Sequence, residues 1–141
     1  VLAAMGVSER RALVRRLARI SRTLHDSGVN HRDYYLCHFL LNTSEEYADI
    51  PVSERPIYLI DLHRVQIRNR TPSRWRHKDL SALYYSGRRI GFDQRDMLSF
   101  IREYKQQPLR QAIDGGKSFW LSVIGDADKL YDKGVRKGYH D

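Results

Sequence analysis

The feature that most constrains this chain is a pair of aspartates, each set against a short apolar run. His31-Arg32-Asp33 leads into Tyr34-Tyr35-Leu36, and Asp61 stands directly after Ile57-Tyr58-Leu59-Ile60. Taken singly, each has an ordinary explanation. Asp33 caps a turn with its own side chain, and Asp61 serves a turn or an N-cap, as aspartates often do. Taken together, they ask for a fold that lays two short strands side by side and turns both carboxylates into one cleft.

Phosphoryl transfer uses such a pair: one carboxylate faces the attacking hydroxyl, and the other holds the magnesium that bridges the nucleotide phosphates. His31-Arg32-Asp33 is similar to the catalytic loop of kinases, and Asp61 follows in the expected chain order. The longer strings are more specific. Gly28-Val29-Asn30-His31-Arg32-Asp33-Tyr34-Tyr35-Leu36-Cys37-His38-Phe39-Leu40-Leu41, then Ile60-Asp61-Leu62-His63-Arg64-Val65-Gln66-Ile67-Arg68, resemble the lipopolysaccharide core heptose kinase family. Similarity continues through Arg74-Trp75-Arg76-His77-Lys78-Asp79-Leu80 and Ile90-Gly91-Phe92-Asp93-Gln94-Arg95-Asp96, and fades at both ends. The resemblance implies ATP as phosphoryl donor, Mg²⁺ as cofactor and the first heptose of the lipopolysaccharide inner core as acceptor. It also implies an α+β, mainly α fold. This is the large, C-terminal lobe of a protein-kinase-like enzyme, in which a small antiparallel strand pair carries the catalytic loop and the metal-binding aspartate.

The resemblance also distributes roles. Asp33 is the base or orienting group for the sugar hydroxyl, with His31 and Arg32 supporting its loop; Arg32 reaches a phosphate or a nearby acid. Asp61 is the magnesium ligand, since a hard cation prefers carboxylate oxygen. His38 takes the slot where most kinases place an asparagine for a second metal. Imidazole suits Mg²⁺ poorly, so His38 is read as a metal ligand, as a hydrogen-bond partner of phosphate, or as a plain histidine of the strand pair. His63 and Arg64 fall where phosphates would lie. Asp79 is similar to the buried aspartate that anchors the catalytic loop from below.

One domain of 141 residues is long enough for a real core. A formal charge of +8 makes an anionic partner a fair expectation without choosing between nucleic acid, acidic lipid, nucleotide and phosphorylated sugar. The acid-free run Arg64, Arg68, Arg70, Arg74, Arg76 and Lys78 is either ordinary basic surface or a contact for an inner-core acceptor rich in carboxylates and phosphates. A single cysteine excludes an internal disulfide and fits a reducing cytosol. Cys37 reads as a small buried hydrophobe rather than a nucleophile, and no Cys/His spacing suggests zinc. No run approaches the roughly 18 apolar residues of a membrane span, and Val1–Gly6 shows no leader. A cytoplasmic protein, peripheral on the inner membrane at most, is expected.

Leu13, Leu17, Ile20 and Leu24 line one face of a helix over Ser8–Ser27, with Ser8 as N-cap and Gly28 as stop. Its other face, with Arg10, Arg11, Arg15, Arg16, Arg19 and Arg22, reads as solvated, or as a contact for an anionic membrane surface. Tyr34–Leu41 reads as a strand buried on both sides, residues 42–56 as an exposed excursion closed by Pro51 and Pro56, and Ile57–Ile60 as a second buried strand. Thr71-Pro72-Ser73 opens a helix to about Tyr85. Gly87 and Gly91 frame a turn. Asp93 caps a helix to about Tyr104 whose Met97, Phe100, Ile101 and Tyr104 share a face. Pro108 and Gly115-Gly116 interrupt the chain before a basic helix over Ser118–Lys133. Trp75 and Trp120 read as core or interface anchors.

A kinase also needs a glycine-rich phosphate loop and a strand lysine paired with a helix glutamate, and neither is present. The whole of residues 1–141 is therefore expected to be the C-terminal lobe, poor at binding ATP and inactive by itself. Two other readings stand beside it: the same fold with another sugar, small molecule or protein hydroxyl as acceptor, and a non-catalytic basic nucleic-acid module. The second lacks any recognisable DNA- or RNA-binding motif, so no nucleic-acid partner is expected.

Overall fold

A computed structural model describes residues 5–137; the reading of Val1–Gly6 as leaderless falls mainly outside them. Helix α1 (Val7–Asp26) is followed by β1 (Val29–Asn30), β2 (Phe39–Leu41), β3 (Ile57–Leu59) and β4 (Gln66–Ile67). Four helices complete the chain: α2 (Ser73–Arg88), α3 (Gln94–Lys105), α4 (Leu109–Asp114) and α5 (Lys117–Arg136). The fold is mainly helical, with two small antiparallel ribbons rather than the one expected. β2 pairs with β3, Leu40 opposite Tyr58, and β1 pairs with β4, Val29 opposite Ile67.

Helix α1 packs on α3, and α2 on α5. The apolar spacing of α1 delivers Val14, Leu17 and Ala18 to a core shared with Leu80, Leu83, Met97, Phe100, Ile101, Tyr104, Trp120 and Val123. Burial of this apolar area is the dominant stabilising term. Among the described residues no helix is long and apolar enough to cross a membrane.

Capping follows the sequence at one helix and departs from it at another. Asp93 accepts the backbone N–H of Asp96, and the Asp96 side chain accepts that of Asp93, a reciprocal box that satisfies two donors at the start of α3. Asp96 is fully buried and paired with Arg10 at 2.9 Å. For α1, however, the N-cap is Gly6 without a side-chain cap, not Ser8. Gly28 does follow its end, at φ +84°. A Cβ there would lie 1.7 Å from the Arg68 carbonyl oxygen, so only glycine lets the β4 side of the ribbon approach.

The arginine face of α1 is not free in solvent. Arg10 reaches Asp93 and Asp96, Arg16 reaches the Ser53 and Arg55 carbonyls, and Arg22 reaches the Tyr104 carbonyl. Arg19 lies 3.5 Å from Glu103. Long side chains found partners on α3 and on the 42–56 excursion, which the local sequence could not announce.

The strand predicted over Tyr34–Leu41 begins only at Phe39. Tyr34 is fully buried, its hydroxyl 2.6 Å from Ser21 Oγ, and Leu36–His38 forms a 3-10 turn. Nor are the two strands buried on both sides: Leu40 is 45 % exposed and Tyr58 52 %. A two-stranded ribbon has one face with nothing packed on it. Cys37, in the 3-10 turn, is exposed rather than buried.

Candidate active site

The loop between β1 and β2 is held from the helical side. Asp79, on α2 and only 1 % exposed, accepts the backbone N–H of His31 through Oδ2 and that of Arg32 through Oδ1, both at 2.9 Å. Two backbone donors that would otherwise be orphaned beneath the loop are thereby satisfied. The same carboxylate takes His25 Nε2 at 2.9 Å, and His25 Nδ1 lies 2.8 Å from the Tyr104 hydroxyl. Arg76 Nη1 donates to that hydroxyl at 3.1 Å. Arg76, Tyr104, His25 and Asp79 therefore form one connected hydrogen-bonded chain, with His25 Nε2 donating to the carboxylate. Burial pushes the Tyr104 hydroxyl up to about 12.

His31 locks the loop laterally. Its Nδ1 accepts the Asp33 backbone N–H at 3.1 Å, so Nε2 carries the proton and donates to the Ile60 carbonyl at 2.9 Å. One imidazole thus ties the segment before Asp33 to the residue before Asp61. Arg32 and Asp61 both adopt left-handed backbone, φ 76° and 63°. Such residues cost about 1–3 kcal/mol each and persist where surrounding contacts impose them; here Asp79 holds the Arg32 backbone and His31 holds the carbonyl just before Asp61.

The carboxylates meet. One ligand atom each from Asp33, Asp61 and His63 lies within 4.8 Å of the other two. Asp33 Oδ1 accepts Arg64 Nη1 at 2.8 Å, whereas Asp33 Oδ2 is buried with no partner. Asp61 is flanked by histidines: His63 Nδ1 contacts Oδ1, and His38 Nε2 lies 3.1 Å from Oδ2. His38 Nδ1 donates to the Asp33 carbonyl at 2.6 Å, so this ring spans both acidic segments. His38, read from the sequence as a metal ligand, a phosphate contact or a plain histidine, turns both ring nitrogens to protein oxygens, while the three atoms that lie together come from Asp33, Asp61 and His63. His38 sits in the 3-10 turn, not in a strand.

The basic run divides. Arg64 faces Asp33. Arg76 turns inward to Thr71, His25, Asp26 and Tyr104 and is a structural residue. Arg68 bonds Asn30 and Gln66 and, with Arg32, Arg74 and Lys78, surrounds the Trp75 ring. Arg32 has no acid partner among the described residues, and Trp75 is no core anchor, whereas Trp120 is. Sequence reading missed His25 altogether, a buried histidine in mid-helix with no motif around it.

A buried aspartate thus bridges to a loop that carries one acid, and a second acid stands close by on the segment after β3. A family model described as the lipopolysaccharide kinase (Kdo/WaaP) family matches residues 2–104, and the chain belongs to that family. It is 47 % identical over 133 residues to the lipopolysaccharide core heptose(I) kinase WaaP of Pseudomonas aeruginosa, covering 92 % of this chain and 47 % of that protein. With the WaaP of Escherichia coli K12 it shares 40 % over 129 residues, 92 % of this chain and 48 % of the relative. A solved structure of WaaP in complex with acyl carrier protein superposes with a TM-score of 0.80 at 42 % identity, over 91 % of this chain and 52 % of that one. The chain thus spans about half the length of the curated relatives it matches.

Proposed function

We propose that this chain is the large-lobe, catalytic-loop half of a kinase that moves the γ-phosphoryl group of ATP to the first heptose of the lipopolysaccharide inner core. The observation that carries the reading is the Asp33–Asp61 pair: ligand atoms within 4.8 Å, with Asp33 Oδ2 buried and unpartnered. A buried carboxylate oxygen without a donor is costly, and a substrate hydroxyl would complete it. Family membership and the identity to the WaaP kinases support the same assignment.

In this reading Asp33 orients the heptose hydroxyl and takes its proton as the oxygen bonds to the γ-phosphorus and the bond to ADP breaks. The carboxylate of Asp61 suits Mg²⁺, which when bound would neutralise charge building on the phosphates. The imidazoles suit it poorly, so His38 and His63 orient Asp61, and Arg64 steadies Asp33 until an acceptor arrives. Asp79, His31 and Arg32 hold the loop at fixed height. Work at the cytoplasmic face of the inner membrane, as a peripheral protein, belongs to the same proposal. Through its likeness to the solved WaaP complex, acyl carrier protein is a candidate partner, which co-purification would test.

The deciding experiment measures heptose phosphorylation by the complete protein on inner core bearing or lacking the first heptose. Transfer that requires the heptose and vanishes in Asp33→Ala supports the proposal. Equal labelling of the heptose-free core points to another acceptor.

A further inference from the structure

Four cations converge on one indole. The charged heads of Arg32, Arg68, Arg74 and Lys78 lie 5.4, 5.5, 5.4 and 5.8 Å from the Trp75 ring centroid. Among the described residues none of the four forms an ion pair with an acid. The ring attracts each cation, but the cations repel one another, and no carboxylate relieves them. Two donors in the same cluster, Arg32 Nε and Trp75 Nε1, are buried without an acceptor. A charged cluster with such N–H groups has the chemistry of an anion-binding site.

We propose that the Trp75 cluster is a specificity subsite that grips a phosphate or carboxylate carried on the sugar acceptor. Arg68 already donates to Asn30 and Gln66, whereas the guanidinium groups of Arg32 and Arg74 keep N–H donors for bidentate contacts to such oxygens, and the indole N–H adds a further donor. Arg32 adjoins Asp33 in the loop, so an extended saccharide would carry a hydroxyl to Asp33 and an anionic substituent to the cluster on the other side of the turn. The inference rests on the acceptor reading above, but the subsite can fail while that reading stands.

The test follows the Trp75 indole N–H resonance of the complete protein, assigned by its loss in W75F, during titration with glucose 6-phosphate, glucuronate and uncharged glucose at constant ionic strength. A saturable shift with the two anions and none with glucose is expected. Binding should weaken roughly tenfold in R74Q/K78Q, whose exposed side chains contribute charge-assisted bonds. It should persist in D33N, which separates anion capture from phosphoryl transfer. In the kinase assay R74Q/K78Q should raise the KM for the anionic acceptor and leave the KM for ATP in place. No shift with either anion, an equal shift with glucose, or full binding by R74Q/K78Q overturns the proposal. So does a shift produced by duplex DNA alone, which would make the cluster a nucleic-acid contact.

Discussion

His25 and Asp79 form a buried pair, Nε2 to Oδ2 at 2.9 Å, with relative exposures of 0 % and 1 %. The pair matters because the same carboxylate carries the backbone of His31 and Arg32. Helix α1, through His25, and helix α2, through Asp79, therefore set the height of the loop that presents Asp33.

Replacing Asp79 tests that arrangement. Asp79→Asn offers one acceptor oxygen and one amide nitrogen where two backbone N–H groups now point, leaving at least one buried donor unmet. A loss of about 1–3 kcal/mol is expected in urea unfolding, with activity falling further than stability alone explains. Wild-type stability in this variant would remove Asp79 from its anchoring role.

In the complete protein, Asp33→Asn should preserve the fold and cut phosphoryl transfer sharply. Loss of proton acceptance is expected to lower turnover by about 10²–10⁴-fold, with the melting temperature close to that of the parent. Near-normal turnover would mean that Asp33 is not the base.

Gly28→Ala meets both a left-handed backbone and the Arg68 carbonyl. Either the β1–β4 ribbon opens or the chain fails to fold, and destabilisation well beyond about 1 kcal/mol is expected from the conformation alone. Circular dichroism melts read the outcome; an unchanged midpoint would show that the close approach is dispensable.

Asp93→Ala removes the reciprocal cap of α3 and should cost about 0.5–2 kcal/mol. The Asp96 backbone N–H donated to Asp93 holds that carboxyl below its ordinary 3.8, with Arg10 and Arg11 adding to the effect. A carboxyl lowered by folding stabilises above its unfolded value and loses that contribution as pH falls through the folded one. Unfolding midpoints measured from pH 5 down to pH 2 should therefore drop less steeply below 3.8 in the variant than in the parent. Parallel curves would contradict the assignment.

Much of this fold was legible because long helices announce themselves through periodicity and punctuation. Leu13, Leu17 and the Met97–Tyr104 face all went inside as their spacing required, and Asp93 capped where its position before an apolar run suggested. What escaped has a common physical cause. β1 and β4 are two residues each, too short for any period, and their pairing is set by a partner far along the chain. α4 is six residues between breaks. The partners of Arg10 and Arg22 lie more than eighty residues away, so a face that looked solvated by local pattern became a helix–helix seam. At the site, the motif placed Asp33 and Asp61 together, but the division between Arg76 turned inward and Arg74 turned outward depends on helical phase and on Asp26, which spacing alone did not show.

The left-handed turn at Arg32 has a consequence for how such a protein can diverge. Consecutive side chains are dispatched to different neighbourhoods, the guanidinium to Trp75 and the carboxylate to Arg64 and Asp61. Substitutions around the indole can accumulate without displacing the two carboxylates, so the loop is free to vary on its tryptophan side while its acidic side stays constant.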